Sequence, residues 1–354
     1  MTDYGEAFEK TEYLLSLDEP AQTLQILQRL NVCDNDETIT SIERAGDGNM
    51  NLVMRVKTDR QSIVVKQARP WVEKYPTIAA PVDRILAEAS FYDLVSSSTK
   101  VARMMPTVIA ADAKLKLLVL QDLGSAADYS SLYSCDKSSE TREVVFEEAA
   151  SWLAHLHQTE LESETTPGCQ PLRILNHCHI FSIPLSDPPE LDLDSVCQGL
   201  ERVSGSIRND VQLAEAFEQL GKNYLNPPDS SLSLLHGDYY PGSWLSTRDG
   251  FRVIDPEFCF LGPREFDLGV MSAHYIFCIA AAELESVRRL VSAYESSAET
   301  KVSLSLVLGF AGTEIIRRIL GVAQLPILAD LSQRKQWLDL GVEFVQHWHS
   351  QQPS

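Results

Sequence analysis

The sequence predicts an α+β chain of two lobes, an antiparallel sheet with helices over residues 1–123 and a mainly helical part over residues 124–354. Three observations carry this. A length of 354 residues exceeds one ordinary domain and suits two. Between residues 45 and 67 two β-branched runs, separated by a polar turn, alternate as paired strands do. From residue 143 onward apolar positions recur at three and four, the spacing of one helical face.

Taken in order, "AQTLQILQRL" reads as an amphipathic helix within an acidic first forty residues. "AGDGNMNLVMRVKTDRQSIVVKQ" reads as a Gly-rich turn, a strand, a "TDRQ" turn and a second strand. "DRILAEASFYDLV" returns to helical spacing, and "KLKLLVLQDLGS" to a strand that breaks at Gly124, closing the first lobe near Leu123. The second lobe is helical from "EVVFEEAASWLAHLHQ", with a Pro- and Asp-containing loop expected over residues 163–192. Short strands are expected again over residues 232–258, with Asp249-Gly250 as a hairpin turn.

Composition narrows the function classes. Fifty acids against thirty bases, a net charge of −20, argue against general affinity for nucleic acid or an anionic membrane surface. The seven cysteines are odd in number and contain no Cys-x-x-Cys pair, so neither a disulfide framework nor a zinc knuckle is expected. The start, "MTDYGEAFEK", lacks the basic and apolar regions of a signal peptide, and the expected location is the cytoplasm.

Chemistry concentrates in a few places. "GDGN" (Gly46, Asp47, Gly48, Asn49) is a flexible turn whose backbone amides suit phosphate. Lys66 ends a strand and Glu88 lies on the following helix, a spacing that lets them pair and fix the lysine toward phosphate oxygens. Asp238 stands in "LLHGDYYPGS", and the Asp249-Gly250 hairpin is expected to bring it to the same end as Asp255. In "IDPEF" an extended segment would point Asp255 and Glu257 to one side, two hard oxygen donors suited to Mg²⁺. Arg317 and Arg318 sit among Ile315, Ile316, Ile319 and Leu320, so at least one lies near the core boundary and needs a partner. His155 and His157, on an apolar helix, read as core histidines, and the aromatic tail "VEFVQHWHS" as a packed helix. Each motif alone is ordinary; their order and spacing are not.

That order resembles the protein-kinase-like superfamily of small-molecule kinases, the aminoglycoside and choline phosphotransferase group, and within it the 5-methylthioribose kinases. The similarity runs from about Gly46 to Leu331, with "VIDPEFCFLGPREFDLG" its most specific block. It implies a bilobal protein-kinase-like fold, ATP and Mg²⁺ as cofactors, a sugar hydroxyl as acceptor, and a homodimer. It implies Asp238 as the catalytic aspartate, with Asp255 and Glu257 as metal ligands. Lys66, with Glu88 as its partner, would hold the phosphates, and the backbone of Gln121, Asp122 and Leu123 would hold adenine. Asp267 would brace the loop, and His236 would stabilise it. Arg317 and Arg318 would grip the acceptor. Kinases of other small alcohols (aminoglycosides, choline or ethanolamine, homoserine, other sugars) and a non-catalytic pseudokinase are the alternatives.

The chain departs from that pattern at named positions. Ser243 stands where the superfamily commonly has a metal-binding Asn, as it does in the methylthioribose kinases, and is taken with the metal site. Tyr240 stands where those kinases have His and is taken with the acceptor site, and Tyr75-Pro76 stands where they have a tryptophan.

Overall fold

The computed structural model describes residues 14–46, 48, 50–134, 138–161, 166–186, 189–228, 232–279 and 284–352. It is a mixed α/β chain with an antiparallel sheet, in two compact units. The first unit is residues 1–126 with 167–172 and 247–259; the second is 127–166, 173–246 and 260–354. The division is therefore not the single cut at 123 read from the sequence. Residues 247–259 join the first unit because Val253 donates to the Met104 carbonyl and the turn Pro256–Phe258 packs on the helix Arg84–Val95.

The first unit is built on a five-stranded sheet in the order Ile39–Arg44, Leu52–Thr58, Ser62–Gln67, Leu117–Gln121, Val108–Asp112. Every neighbouring pair is antiparallel. Side chains alternate across a strand, so Leu52, Met54 and Val56 share one face with Ile63, Val65, Leu117 and Val119. The helix Pro20–Arg29 covers that face with Ile26 and Leu27. Lys66 points to the opposite face, where the helix Arg84–Val95 lies.

The second unit is a stack of helices. Leu304–Leu320 is buried along most of its length and packs on both Glu265–Cys278 and Leu331–His349. The crossings are close because glycines sit at them. A Cβ at Gly269 would stand 2.9 Å from the Ala311 nitrogen, and one at Gly312 would overlap the Gly341 carbonyl oxygen. The region 163–192, expected as loop, contains the helix Gln170–His177 and a π-helical turn, Cys178–Ser182. Pro171 misled the reading: it lies in the first turn, where the missing N–H costs nothing. Among the described residues no helix is long and apolar enough to cross a membrane.

Because the backbone of Gly341 leaves no room for a methyl at 312, Gly312→Ala is expected to destabilise the protein by about 2 kcal/mol, an overpacking cost. Urea unfolding followed by circular dichroism measures it. An unchanged midpoint would show that the two helices separate freely.

Candidate active site

The first unit gathers its charges around Lys66. The residue lies between Val53 and Leu118 on the middle strand, and its side chain is 3% exposed. Its ammonium donates to both Glu88 carboxylate oxygens at 2.7 Å and to Asp255 Oδ1 at 2.6 Å. Burial lowers an ammonium pKa, but Asp255, Glu88 and Glu257 outweigh it and hold Lys66 above its usual value, so it stays charged. The same burial pushes the Glu88 carboxyl up, against the pull of Lys66.

The extended geometry expected for Asp255 to Glu257 is overturned. Asp255 takes the left-handed region, φ 63°, and Pro256–Phe258 forms a single 3-10 turn. Pro256 has a φ preset for the first position of such a turn, and the chain reverses at Asp255 to enter it. Aspartate is one of the few residues that tolerates this. The turn sends Asp255 to Lys66 and buries Glu257, whose Oε2 accepts from Asn51 Nδ2 at 2.9 Å and lies 3.5 Å from Arg84 Nε. Arg84 is itself fully buried and donates to Asn51 Oδ1 and to the carbonyls of Met50, Arg69 and Pro81. It thereby ties the end of the Gly-rich turn to the start of the helix that carries Glu88.

Among the described residues no group of three or more His, Cys, Asp or Glu side chains gathers as a metal cluster. Asp255, with its side chain 41% exposed and turned to Lys66, and the buried Glu257, held by Asn51 and Arg84, are the two carboxylates this turn carries. That donor set fits Mg²⁺, which takes one or two carboxylates and fills its shell with phosphate oxygens and water.

Other residues singled out in the sequence fall in this unit. Gly46 has φ +77°, a conformation that favours glycine, and nothing presses on Gly48 closer than 3.7 Å. Asp47 and Asn49 lie outside the described residues. Gln121 Oε1 accepts from the Thr107 backbone and hydroxyl. Asp122 accepts from Arg55, Ser62 and the Gly124 amide, which braces the segment through Leu123 and Gly124. Its side chain is thus committed to the backbone turn.

In the second unit, strands Leu232–Leu235 and Phe260–Pro263 pair antiparallel with Leu235 opposite Phe260. The pairing sets the His-Gly-Asp loop beside the start of the helix Glu265–Cys278. Asp267 there accepts from the His236 amide at 2.7 Å and the Gly237 amide at 3.0 Å. His157, read as a core residue, is buried and reaches Asp267 Oδ2 at 3.4 Å and the Tyr294 hydroxyl at 2.9 Å. On the other side of the loop Ser243 Oγ donates to the Asp238 carbonyl at 3.0 Å. The loop is held from both ends.

Arg317 and Arg318 are each 7% exposed, so neither lies on a solvated face. Arg318 Nη2 donates to Asp238 Oδ1 at 3.1 Å, and Arg317 Nη1 lies 4.0 Å from the same oxygen. Both arginines also bind Glu314, one helical turn earlier, and Arg317 Nη2 approaches Asn176 Oδ1 at 3.5 Å. The Tyr240 ring covers Arg318 with 4.7 Å between ring centre and guanidinium carbon, and lies 4.9 Å from the His274 ring. Gly242 makes room for it: a Cβ there would stand 2.6 Å from three Tyr240 atoms. Tyr75, by contrast, is 49% exposed, with Lys74 over its ring.

Sequence reasoning missed Asn51, Arg84, Asn176, His274 and Glu314. Glu314 carried a signal, since an acid three and four residues before two arginines shares their helical face. Arg84, in "VDRILAEA", is likewise a lone cation in apolar company. Asn51, Asn176 and His274 carried none.

A model of the phosphotransferase enzyme family matches residues 41–300. The methylthioribose kinase of Bacillus velezensis is 24% identical over 367 aligned positions, covering 90% of this chain and 89% of that protein. That of Exiguobacterium sibiricum is 27% identical over 342, covering 84% of this chain and 83% of its own. Among solved structures, a spectinomycin phosphotransferase in complex with ADP and spectinomycin aligns with 91% of this chain and 97% of its own, at 13% identity and a TM-score of 0.52. The choline kinase of Streptococcus pneumoniae aligns with 92% of this chain and 99% of its own, at 15% identity and a TM-score of 0.50. The likeness to the solved structures is one of fold.

Burial pushes His274 down to about 4 from the ordinary 6.5. Between those values the unfolded chain binds a proton that the folded chain refuses. The stability at stake is complete above about pH 6.5 and is lost as the pH falls toward 4. Urea midpoints measured from about pH 7.5 down to about pH 4.5 are expected to fall more steeply for the wild type than for His274→Gln. Equal slopes would rule out a neutral His274.

Proposed function

The chain belongs to the phosphotransferase enzyme family and is a small-molecule kinase, and on that footing we propose that it transfers the γ-phosphoryl group of ATP to a hydroxyl of 5-methylthioribose. The observation that carries the acceptor assignment is the buried arginine pair at Asp238, with Arg318 at 3.1 Å and Arg317 at 4.0 Å. Two guanidiniums beside the orienting carboxylate offset the charge with which it would draw an acceptor that arrives as a cation, and so favour one that brings hydroxyls. The relatives named methylthioribose kinase support the same choice.

In this reading each residue has a physical task. Lys66, kept charged by its carboxylate neighbours, holds α and β phosphate oxygens, and the backbone amides at Gly46 and Gly48 cover them. The backbone of Gln121 to Leu123 holds adenine. Asp255 and Glu257 hold Mg²⁺, which when bound neutralises phosphate charge. Ser243 is assigned to the metal shell by resemblance, although its proton is committed to the Asp238 carbonyl.

Asp238 accepts the hydrogen bond of the attacking hydroxyl and aims its oxygen at the γ-phosphorus. As the new O–P bond forms, the bond from the γ-phosphorus to the bridging oxygen breaks, ADP leaves, and the hydroxyl proton passes to Asp238. Phosphoryl transfer asks chiefly for positioning and charge neutralisation, and these residues supply both. Tyr240 lines the acceptor side over Arg318.

Coupled ADP release over a panel of 5-methylthioribose, choline, an aminoglycoside and homoserine tests the acceptor. Methylthioribose is expected to give the highest kcat/KM, and preference for choline or the aminoglycoside would sink the assignment. Asp238→Asn is expected to lower kcat roughly 10³-fold, the scale of a lost proton acceptor. Full turnover in that variant would remove Asp238 from the chemistry.

A further inference from the structure

Two arginines lie beside Asp238, and a guanidinium is shaped to clasp a carboxylate through two parallel hydrogen bonds. Such a clasp would withdraw Asp238 from an acceptor hydroxyl. The structure does not contain it. Arg318 reaches Asp238 through Nη2 alone and through Oδ1 alone. Each remaining part of the guanidinium is engaged elsewhere: Nε donates to Glu314 Oε1 at 2.5 Å, Nη1 approaches the Ala323 carbonyl at 3.4 Å, and the Tyr240 ring covers one face.

Glu314 is what turns the fork. It is 1% exposed and lies three and four residues before the arginines on one helix, so its two oxygens meet both. Oε2 accepts from Arg317 Nη1 at 2.9 Å while Oε1 holds Arg318. Burial would raise its pKa, but Arg317 and Arg318 outweigh it and hold Glu314 well below the usual carboxylate range. It stays an anion.

Glu314 is fixed in turn. His274 Nε2 lies 3.2 Å from Glu314 Oε1, and His274 Nδ1 lies 2.6 Å from the Tyr133 hydroxyl. An ionised carboxylate only accepts, so Nε2 carries the hydrogen of the neutral ring and Nδ1 accepts from Tyr133. A chain of donors runs Tyr133 to His274 to Glu314, and each member is buried.

We infer that Glu314, clamped by His274 and Tyr133, is a positioning residue that engages Arg317 and Arg318 so that Arg318 offers Asp238 one amino group in place of a two-pronged clasp. The inference rests on the reading of Asp238 as the group that orients the acceptor hydroxyl.

Steady-state kinetics with ATP, Mg²⁺ and 5-methylthioribose, and ADP affinity by calorimetry, test it on the full chain. Glu314→Gln keeps volume and removes charge. It is expected to lower kcat about 30- to 100-fold, the scale on which a misplacement of about an ångström acts, with ADP affinity within about twofold of wild type. Glu314→Asp, which restores the charge, is expected to regain at least about threefold of that loss. Tyr133→Phe removes only the outermost hydroxyl and is expected to lower kcat about three- to tenfold. Asp238→Asn is the control. A Glu314→Gln enzyme within about threefold of wild-type kcat, beside an inactive Asp238→Asn, overturns the inference and leaves the kinase reading standing. An active Asp238→Asn overturns both. If circular dichroism shows Glu314→Gln unfolded, Tyr133→Phe decides, and an unchanged kcat there is fatal.

Discussion

The pairing of Lys66 with Glu88 and Asp255 follows from where the ammonium lies, in a side chain 3% exposed to solvent. A charge removed from water costs far more than a domain can spare unless counter-charges and hydrogen bonds replace the lost hydration. That requirement sets the rest of the first unit. The helix Arg84–Val95 packs where Glu88 meets the middle strand, and the turn at Asp255 reverses the chain so that its carboxylate reaches the same ammonium. The second unit obeys the same rule with Arg317, Arg318 and Glu314.

The carboxylates divide by exposure into two kinds. Glu88 and Glu314 are buried and hold cations. Asp255 and Asp238 keep side chains 41% and 22% exposed. A buried acid with all its neighbours in place is a fixture of the scaffold; a partly exposed acid held by a buried cation is oriented and still reachable. Preorganisation of this kind places charge before a ligand arrives, which is the main contribution a protein makes to phosphoryl transfer.

Tyr240 shows how one residue changes its surroundings. Its ring needs the space that Gly242 leaves, covers a face of Arg318, and tilts against His274, so it links the His-Gly-Asp loop to the helix of the arginines. At position 240 the chain places an aromatic face against the guanidinium, a contact between ring and cation that involves no proton transfer.

The local periods and the motif spacing were legible from residues alone. The antiparallel strands around Lys66, the helix carrying Glu88 and the short strands about Asp238 all follow from alternation and turn residues, because these depend on near neighbours in the chain. Resemblance added the family, since several weak motifs in a fixed order are specific together. Tertiary structure alone decided the rest. The turn that brings Asp255 to Lys66, the buried hub of Arg84 and the Tyr133–His274–Glu314 chain join residues dozens to hundreds of positions apart. No local period records such meetings. Which polar groups must pair is settled only when packing has taken the water away from them.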